Sequence, residues 1–373
     1  MRKIFPISAW SIVAPIIAWI VLGVSQLNFN LGIIYSILMA ASLIGVVLAA
    51  VHHAETIAHK LGEPFGTLLL ASAITVIEVG LILSLMLTGG PETAALARDT
   101  VFAAVMIILT CIVGLCLLIG GVLYKEQVFK LHGANASLST LSAIVVLTLI
   151  LPNYTLTTRG PIYSASQLAF IALVSLVLYG TFVFVQVVRH RNYFLDTKYN
   201  DDDTSHDKNN DDKQNNIAPL VNKTVSYISA TLLLFSLLAV VLLAKALAPT
   251  IETFVTFIGA PHKLVGVIIA SIVLLPEGLA AVRAARNNMF QTSLNLALGS
   301  ALASIGLTIP AVAILSLVTG WTLILGIDMK STVLLLLALF VNSISLATGR
   351  TNVLQGIILL VIFGVYLFTT VIP

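Results

Sequence analysis

Apolar runs of about 20 residues, separated by short charged or turn-rich breaks, recur along almost the whole of this chain. A helix of roughly that length spans the hydrocarbon core of a bilayer. Eleven candidate spans can be marked off, near 9–26, 30–51, 66–88, 100–123, 137–152, 166–188, 224–247, 263–284, 293–317, 331–348 and 353–372, the fifth and tenth being the shortest. Composition agrees, because 58% of residues are hydrophobic and only 9% charged, with a mean hydropathy of +1.05, well outside the range of soluble domains. The expected fold class is an all-α polytopic membrane protein with about 11 transmembrane helices, the bilayer serving as its solvent.

The net charge of +3 matters less than where the charges fall, and it gives no support to a nucleic-acid partner. With the N-terminus in the cytoplasm, 14 of the 19 basic residues collect on the cytoplasmic side, among them Lys60, Lys125, Lys130, Arg189, Arg283 and Arg350. Such asymmetry is what the positive-inside rule requires, and one missed span would scramble it. Met1-Arg2-Lys3 precedes an apolar stretch without a clear cleavage site, so that stretch is expected to be the first transmembrane helix. Cys111 and Cys116 lie inside an apolar run at a spacing that resembles neither a metal cluster nor a disulfide framework, and read as packing residues.

The segment from Asp196 to Asn216 holds seven of the nine aspartates and reads as a solvated linker, with a divalent-sensing acidic tether as the alternative. Five spans lie on each side of it once the first helix is set aside. Because five is odd, two homologous units in series must face opposite ways, the inverted-repeat plan of many secondary transporters. The expected organisation is an extra helix at 1–28, a first five-helix repeat at 29–190, a cytoplasmic linker at 191–222 and a second repeat at 223–373.

Each repeat places one glutamate inside its second span, Glu78 in the first and Glu277 in the second. The other acids fall in loops or near helix ends. A carboxylate within hydrocarbon is costly, so such residues normally face an internal cavity and mark an ion or proton path; the alternative is a pair of protonated glutamates that only bind neighbouring helices. Pro276 cannot donate its amide, and Gly278 loosens the helix beside Glu277, which frees carbonyl oxygens there. In the next span Ser300, Ser304 and Thr308 recur every four residues and share one face. Together with Thr75, Thr110, Asn295 and Gly299 they are candidates to line a cavity, although ordinary small-residue helix packing would use the same residue types.

Gly62-Glu63-Pro64-Phe65-Gly66, Glu78 in its span, Arg98-Asp99-Thr100-Val101-Phe102, Pro276-Glu277-Gly278 and the stretch Asn295 to Pro310 together resemble the bacterial ChaA-type calcium/proton antiporters of the cation/calcium exchanger superfamily. The resemblance covers nearly the whole chain. It implies two inverted five-helix units, with Glu78 and Glu277 in the positions of the two essential ion-binding acids. Vacuolar members of the superfamily surround each acid with an Asn-rich signature. Here the acids sit in Ile74-Thr75-Val76-Ile77-Glu78 and Val273-Leu274-Leu275-Pro276-Glu277, and Thr110 stands where related sequences often carry an amide.

The function expected from these residues is secondary active export of Ca²⁺ in exchange for protons. Both glutamates would bind the cation when ionised and carry protons on the return leg, with no cofactor and no enzymatic chemistry. Exchange of Na⁺ or K⁺ for protons is the alternative within the same fold, and a cation channel the alternative outside it. His52, Glu55 and His59 share a helical face at the cytoplasmic edge and form a candidate pH sensor; a solvated interfacial helix is the plainer reading. The expected partners are lipid, the transported cations and protons, and the expected location is the inner (plasma) membrane of a bacterium. The sequence carries no signal for an oligomeric state.

Overall fold

A computed structural model describes residues 8–26, 32–61, 65–195, 223–257, 259, 261 and 263–372. The motif residues Gly62, Glu63 and Pro64, the acidic linker, and the side chain of His59 lie outside the described residues. Among those described the regular structure is helical, with only isolated bridges at Val128–Arg350 and Ile162–Ile324.

The helices are α1 (Ala9–Gln26), α2 (Gly32–Leu61), α3 (Phe65–Gly89), α4 (Leu96–Met106), α5 (Val113–Tyr124), α6 (Leu131–Val145), α7 (Ala165–Phe184), α8 (Lys223–Phe257), α9 (Lys263–Arg286), α10 (Phe290–Thr319), α11 (Met329–Leu346) and α12 (Val353–Val371). A π-helical segment, Ile107–Ile112, joins α4 and α5 into one rod. Shorter π segments extend α6 and α7. Ten of the resulting rods are long and apolar enough to cross a bilayer, whereas the apolar part of α1, Ala9–Val24, is shorter. The protein is therefore an integral multi-pass membrane protein. The marked spans match these rods, but α2 and α8 run well past their apolar stretches, because hydropathy registers the edge of the hydrocarbon and not the end of the helix.

The chain forms two compact units. One holds α1, α2, the start of α3 and most of α8. Within it α1 packs along α2, the Tyr35 hydroxyl donates to the Val21 carbonyl at 2.5 Å, and the Trp19 ring stacks on Phe235 with centroids 4.9 Å apart. The second unit begins at Glu78 and contains the rest of the described helices.

Glycines set the packing of the second unit. A Cβ on Gly266 would lie 3.2 Å from the carbonyl oxygen of Asp99, and one on Gly278 would lie 3.3 Å from Ile112 Cδ1. Contacts advance together along both chains, so α9 runs parallel to the α4–α5 rod over most of its length. At the far end Gln127 Nε2 donates to the Ala285 carbonyl at 2.9 Å. The α12 helix packs antiparallel on α5: a Cβ on Gly356 would come within 2.5 Å of Leu118 N and 2.8 Å of the Gly114 carbonyl oxygen. Both are backbone atoms that cannot swing aside.

Asp328 caps α11 by accepting from Ser331 N at 3.1 Å, and pairs with Lys263 at 3.0 Å, tying the starts of α9 and α11 together. Partial burial alone would push its carboxyl up, but the Ser331 bonds and the Lys263 charge outweigh burial and hold it at about 2.

Two expectations follow. Gly356→Ala should destabilise the protein by about 1–3 kcal/mol through overpacking, measured as a lower thermal midpoint in detergent. Gly364→Ala, where a Cβ meets nothing, should be neutral or mildly stabilising. Because the folded carboxyl of Asp328 is lowered, its contribution is present above the unfolded value near 3.9 and is lost as pH falls toward about 2. The difference in thermal midpoint between wild type and Asp328→Asn should therefore be present at pH 7 and shrink through that acid window.

Candidate ion-binding site

Glu78 and Glu277 are 4% and 6% exposed, so neither carboxylate can rely on bulk water for its hydrogen bonds. The partners are hydroxyls on α10. Ser304 Oγ donates to Glu78 Oε1 at 2.5 Å, a length typical of a charge-assisted bond, and Ser300 Oγ donates to Glu277 Oε2. Four residues separate the two serines, which puts them about 6 Å apart along one helical face. One turn of α10 thus gathers both acids.

The behaviour of these two hydroxyls is unusual within the molecule. Hydroxyls on apolar helices commonly return to the carbonyl four residues back, as Thr100, Ser137, Thr148, Ser175 and Ser271 do here. Ser300 and Ser304 donate to carboxylates instead, although a carbonyl of their own helix is in reach.

The third side of the site is α9 with the rod beside it. Pro276 sits inside α9 without breaking it, and the missing amide leaves the Ile272 carbonyl without its helical donor. A Cβ on Gly278, directly after Glu277, would lie 3.3 Å from Ile112 Cδ1 of the π segment. Thr110 lies in that segment, buried, with its hydroxyl on the Met106 carbonyl at 2.5 Å. Its hydroxyl is therefore committed to its own backbone and not to either acid.

The remaining sequence candidates divide. Thr75 is buried on α3 one turn before Glu78. Gly299 adjoins Ser300, and a Cβ there would meet nothing within 4 Å, so it is not a close-packing glycine. Asn295 is turned away from the acids: its Nδ2 donates to the Phe194 carbonyl at 2.5 Å and its Oδ1 accepts from Gln291 at 2.9 Å. The reason is angular, since five residues rotate it about 140° from Ser300. It fastens the chain after α7 to α10.

His52 is half-buried, with Nε2 3.3 Å from Ser8 Oγ, and Glu55 is half-buried nearby on α2. Among the described residues the fully buried histidine is the neighbouring His53, bound through Nε2 to the Ser11 carbonyl at 3.0 Å. Both histidines thus dock α2 on α1. Among the described residues no group of three or more His, Cys, Asp or Glu side chains converges. A cation held at this site would take two carboxylates and otherwise hydroxyl, carbonyl or water oxygens.

The sequence reading missed Asn342 on α11, which is fully buried and donates through Nδ2 to the Leu109 carbonyl at 3.1 Å in the π segment. An amide inside an otherwise apolar helix was the available signal.

Bilayer-length helical rods that bury two acids on one hydroxyl-bearing turn fit a membrane transport protein. The sodium/calcium exchanger protein family model matches residues 31–188 and 228–372, and the chain belongs to that family. It is 43% identical over 366 residues to y4hA of Sinorhizobium fredii, whose name describes an ionic transporter, covering 98% of this chain and 96% of that one. It is 34% identical over 362 residues to the sodium-potassium/proton antiporter ChaA of Escherichia coli, covering 96% and 95%. The crystal structure of the H⁺/Ca²⁺ exchanger CAX shares the fold, with a TM-score of 0.68 at 17% identity over 97% of this chain and 89% of that one. The protein is accordingly an antiporter of the cation/calcium exchanger superfamily.

Removing either hydroxyl leaves a buried carboxylate short of a donor, and hydrogen bonds to charged groups are worth about 1.5–3 kcal/mol. Ser300→Ala and Ser304→Ala should each change the cation half-saturation concentration about 10-fold or more, measured by transport into vesicles. The double variant should fall short of the product of the two effects, because both serines serve one site.

Proposed function

We propose that this antiporter exports Ca²⁺ in exchange for protons, with Glu78 and Glu277 alternating between cation binding and protonation. The observation that carries this reading is the delivery of both buried carboxylates to one turn of α10 through Ser304 and Ser300. Two carboxylates supply up to four oxygens and two negative charges, a match for a hard divalent ion that takes six to eight oxygens. The serine hydroxyls, the Ile272 carbonyl and water are the candidates to complete the shell.

Cation and protons compete for the same oxygens. When the cation leaves, two protons keep the pair neutral within the membrane, so the expected stoichiometry is about two protons per Ca²⁺. Access alternates as the helices rock around the fixed acids. In this reading residues 29–190 and 223–373 are the two inverted repeats, joined by the linker 191–222 and preceded by the extra helix at 1–28. The N-terminus is cytoplasmic and the membrane is the bacterial inner membrane.

Exchange of Na⁺ or K⁺ for protons is a second reading, favoured by the name of the Escherichia coli relative and by a site whose neutral side-chain ligands are hydroxyls and not amides. Monovalent ions need fewer charged ligands.

Everted vesicles with a pH indicator test both readings. Glu78→Gln and Glu277→Gln should each abolish cation-dependent proton flux, and flux that persists in both variants overturns the assignment. A panel of Ca²⁺, Na⁺, K⁺ and Mn²⁺ at matched pH gradients then identifies the cargo: Ca²⁺ alone upholds the first reading, and Na⁺ or K⁺ without Ca²⁺ replaces it with the second.

A further inference from the structure

A π segment interrupts the regular helical ladder, and carbonyls at its ends lose their usual amide partners. In Ile107–Ile112 the Val113 amide reaches back to the Ile108 carbonyl, and the Thr110 hydroxyl takes the Met106 carbonyl. The Leu109 carbonyl is met from another helix, by Asn342 Nδ2 of α11. The same Nδ2 also donates to the Ala338 carbonyl at 2.8 Å.

Two carbonyl acceptors fix which way the amide faces, because an oxygen in that place would oppose two others. Asn342 Oδ1 then points elsewhere, fully buried and with no partner. A buried acceptor without a donor is unfavourable, so the contribution of this amide lies in what Nδ2 holds. What it holds is the backbone one turn from Ile112, and Ile112 is the side chain that faces the Gly278 position beside Glu277, 3.3 Å from where a Cβ there would lie.

We propose that Asn342 is a positioning residue: its bond to the Leu109 carbonyl locks the π segment, and the locked segment fixes the part of α9 that carries Glu277. The effect on transport rests on the cation/proton exchange reading above, but the locking does not. Asn342 touches no carboxylate, so its influence on the cation passes through α4–α5 and α9.

Asn342→Leu removes the donor while keeping the branched heavy-atom outline, in a somewhat larger side chain. Asn342→Ser keeps a hydroxyl that can return to Ala338 on its own helix, as its neighbour Ser343 does to Leu339, and deletes only the bond between helices. Hydrogen exchange followed by mass spectrometry on the purified protein should show faster exchange across residues 107–114 and around Gly278 in both variants. In vesicles their cation half-saturation should rise about fivefold or more while the maximal rate per folded protein stays within about twofold, a split that a loss of folded protein would not produce.

If Asn342→Leu fails to fold, Asn342→Ser decides the matter alone. Wild-type exchange protection across the π segment in a folded variant overturns the lock. Altered protection with unchanged half-saturation overturns the positioning role. Should wild type itself show no proton flux with any cation, the exchange reading fails separately, and the same variants are then read by protection and by Ca²⁺ binding to purified protein.

Discussion

A carboxylate inside a membrane needs donors as close as water would have brought them, and most of this fold can be read as the means of supplying them. Ser300 and Ser304 do so from a single turn of α10. Sharing one turn has a consequence beyond solvation. Two acids held on neighbouring hydroxyls cannot change their ligands independently, so a species that takes one carboxylate perturbs the donors of the other. That coupling is what a two-charge cargo exchanged for more than one proton requires.

The donors are useful only if the acids stay in place, and glycine contacts hold one of them there. The α9 helix lies along the α4–α5 rod, with Gly266 against the Asp99 backbone and the Gly278 position facing the Ile112 side chain, so the helix that carries Glu277 is seated by close backbone approach near its start and by a side chain beside the acid. Apolar bulk could not do this in a bilayer, where lipid offers the same contacts as a neighbouring leucine. Small residues gain by letting backbones meet, as α5 and α12 also do at Gly114 and Gly356.

Much of this was legible in the sequence, and the parts that were not share a cause. Span positions follow from hydropathy, and Glu78 and Glu277 from the rarity of acids in apolar runs. The four-residue spacing of Ser300 and Ser304 gave their common face, and the same arithmetic applied to Asn295 would have turned it away. Asn342 and the π segment are different. A π turn has no residue signature of its own here, and the partner of Leu109 lies 233 positions along the chain, so the pair exists only once α11 has packed on the rod. Likewise His53, which is not on the face that helical spacing marked with His52 and Glu55, is fully buried, because the docking of α1 on α2 covers its ring.

The two halves of the site are not equivalent, and this bears on how an exchanger could tell its ions apart. On the second-half side, α10 gives hydroxyls to both acids. On the first-half side, the α4–α5 rod offers Thr110, whose hydroxyl is already committed to Met106, and a backbone kept out of α-helical register. A strict inverted repeat would have matched the serines with donors on that rod. The π segment stands in their place, and the carbonyls of Met106, Ile108 and Leu109 around it are already met by the Thr110 hydroxyl, the Val113 amide and Asn342. In the proposed exchange, the two glutamates therefore receive hydroxyl donors from α10 and none from the rod, whose contribution is packing against α9. On that reading the bond that fixes the π segment is a natural place to adjust the site, because it ties α11 to the rod without touching either carboxylate.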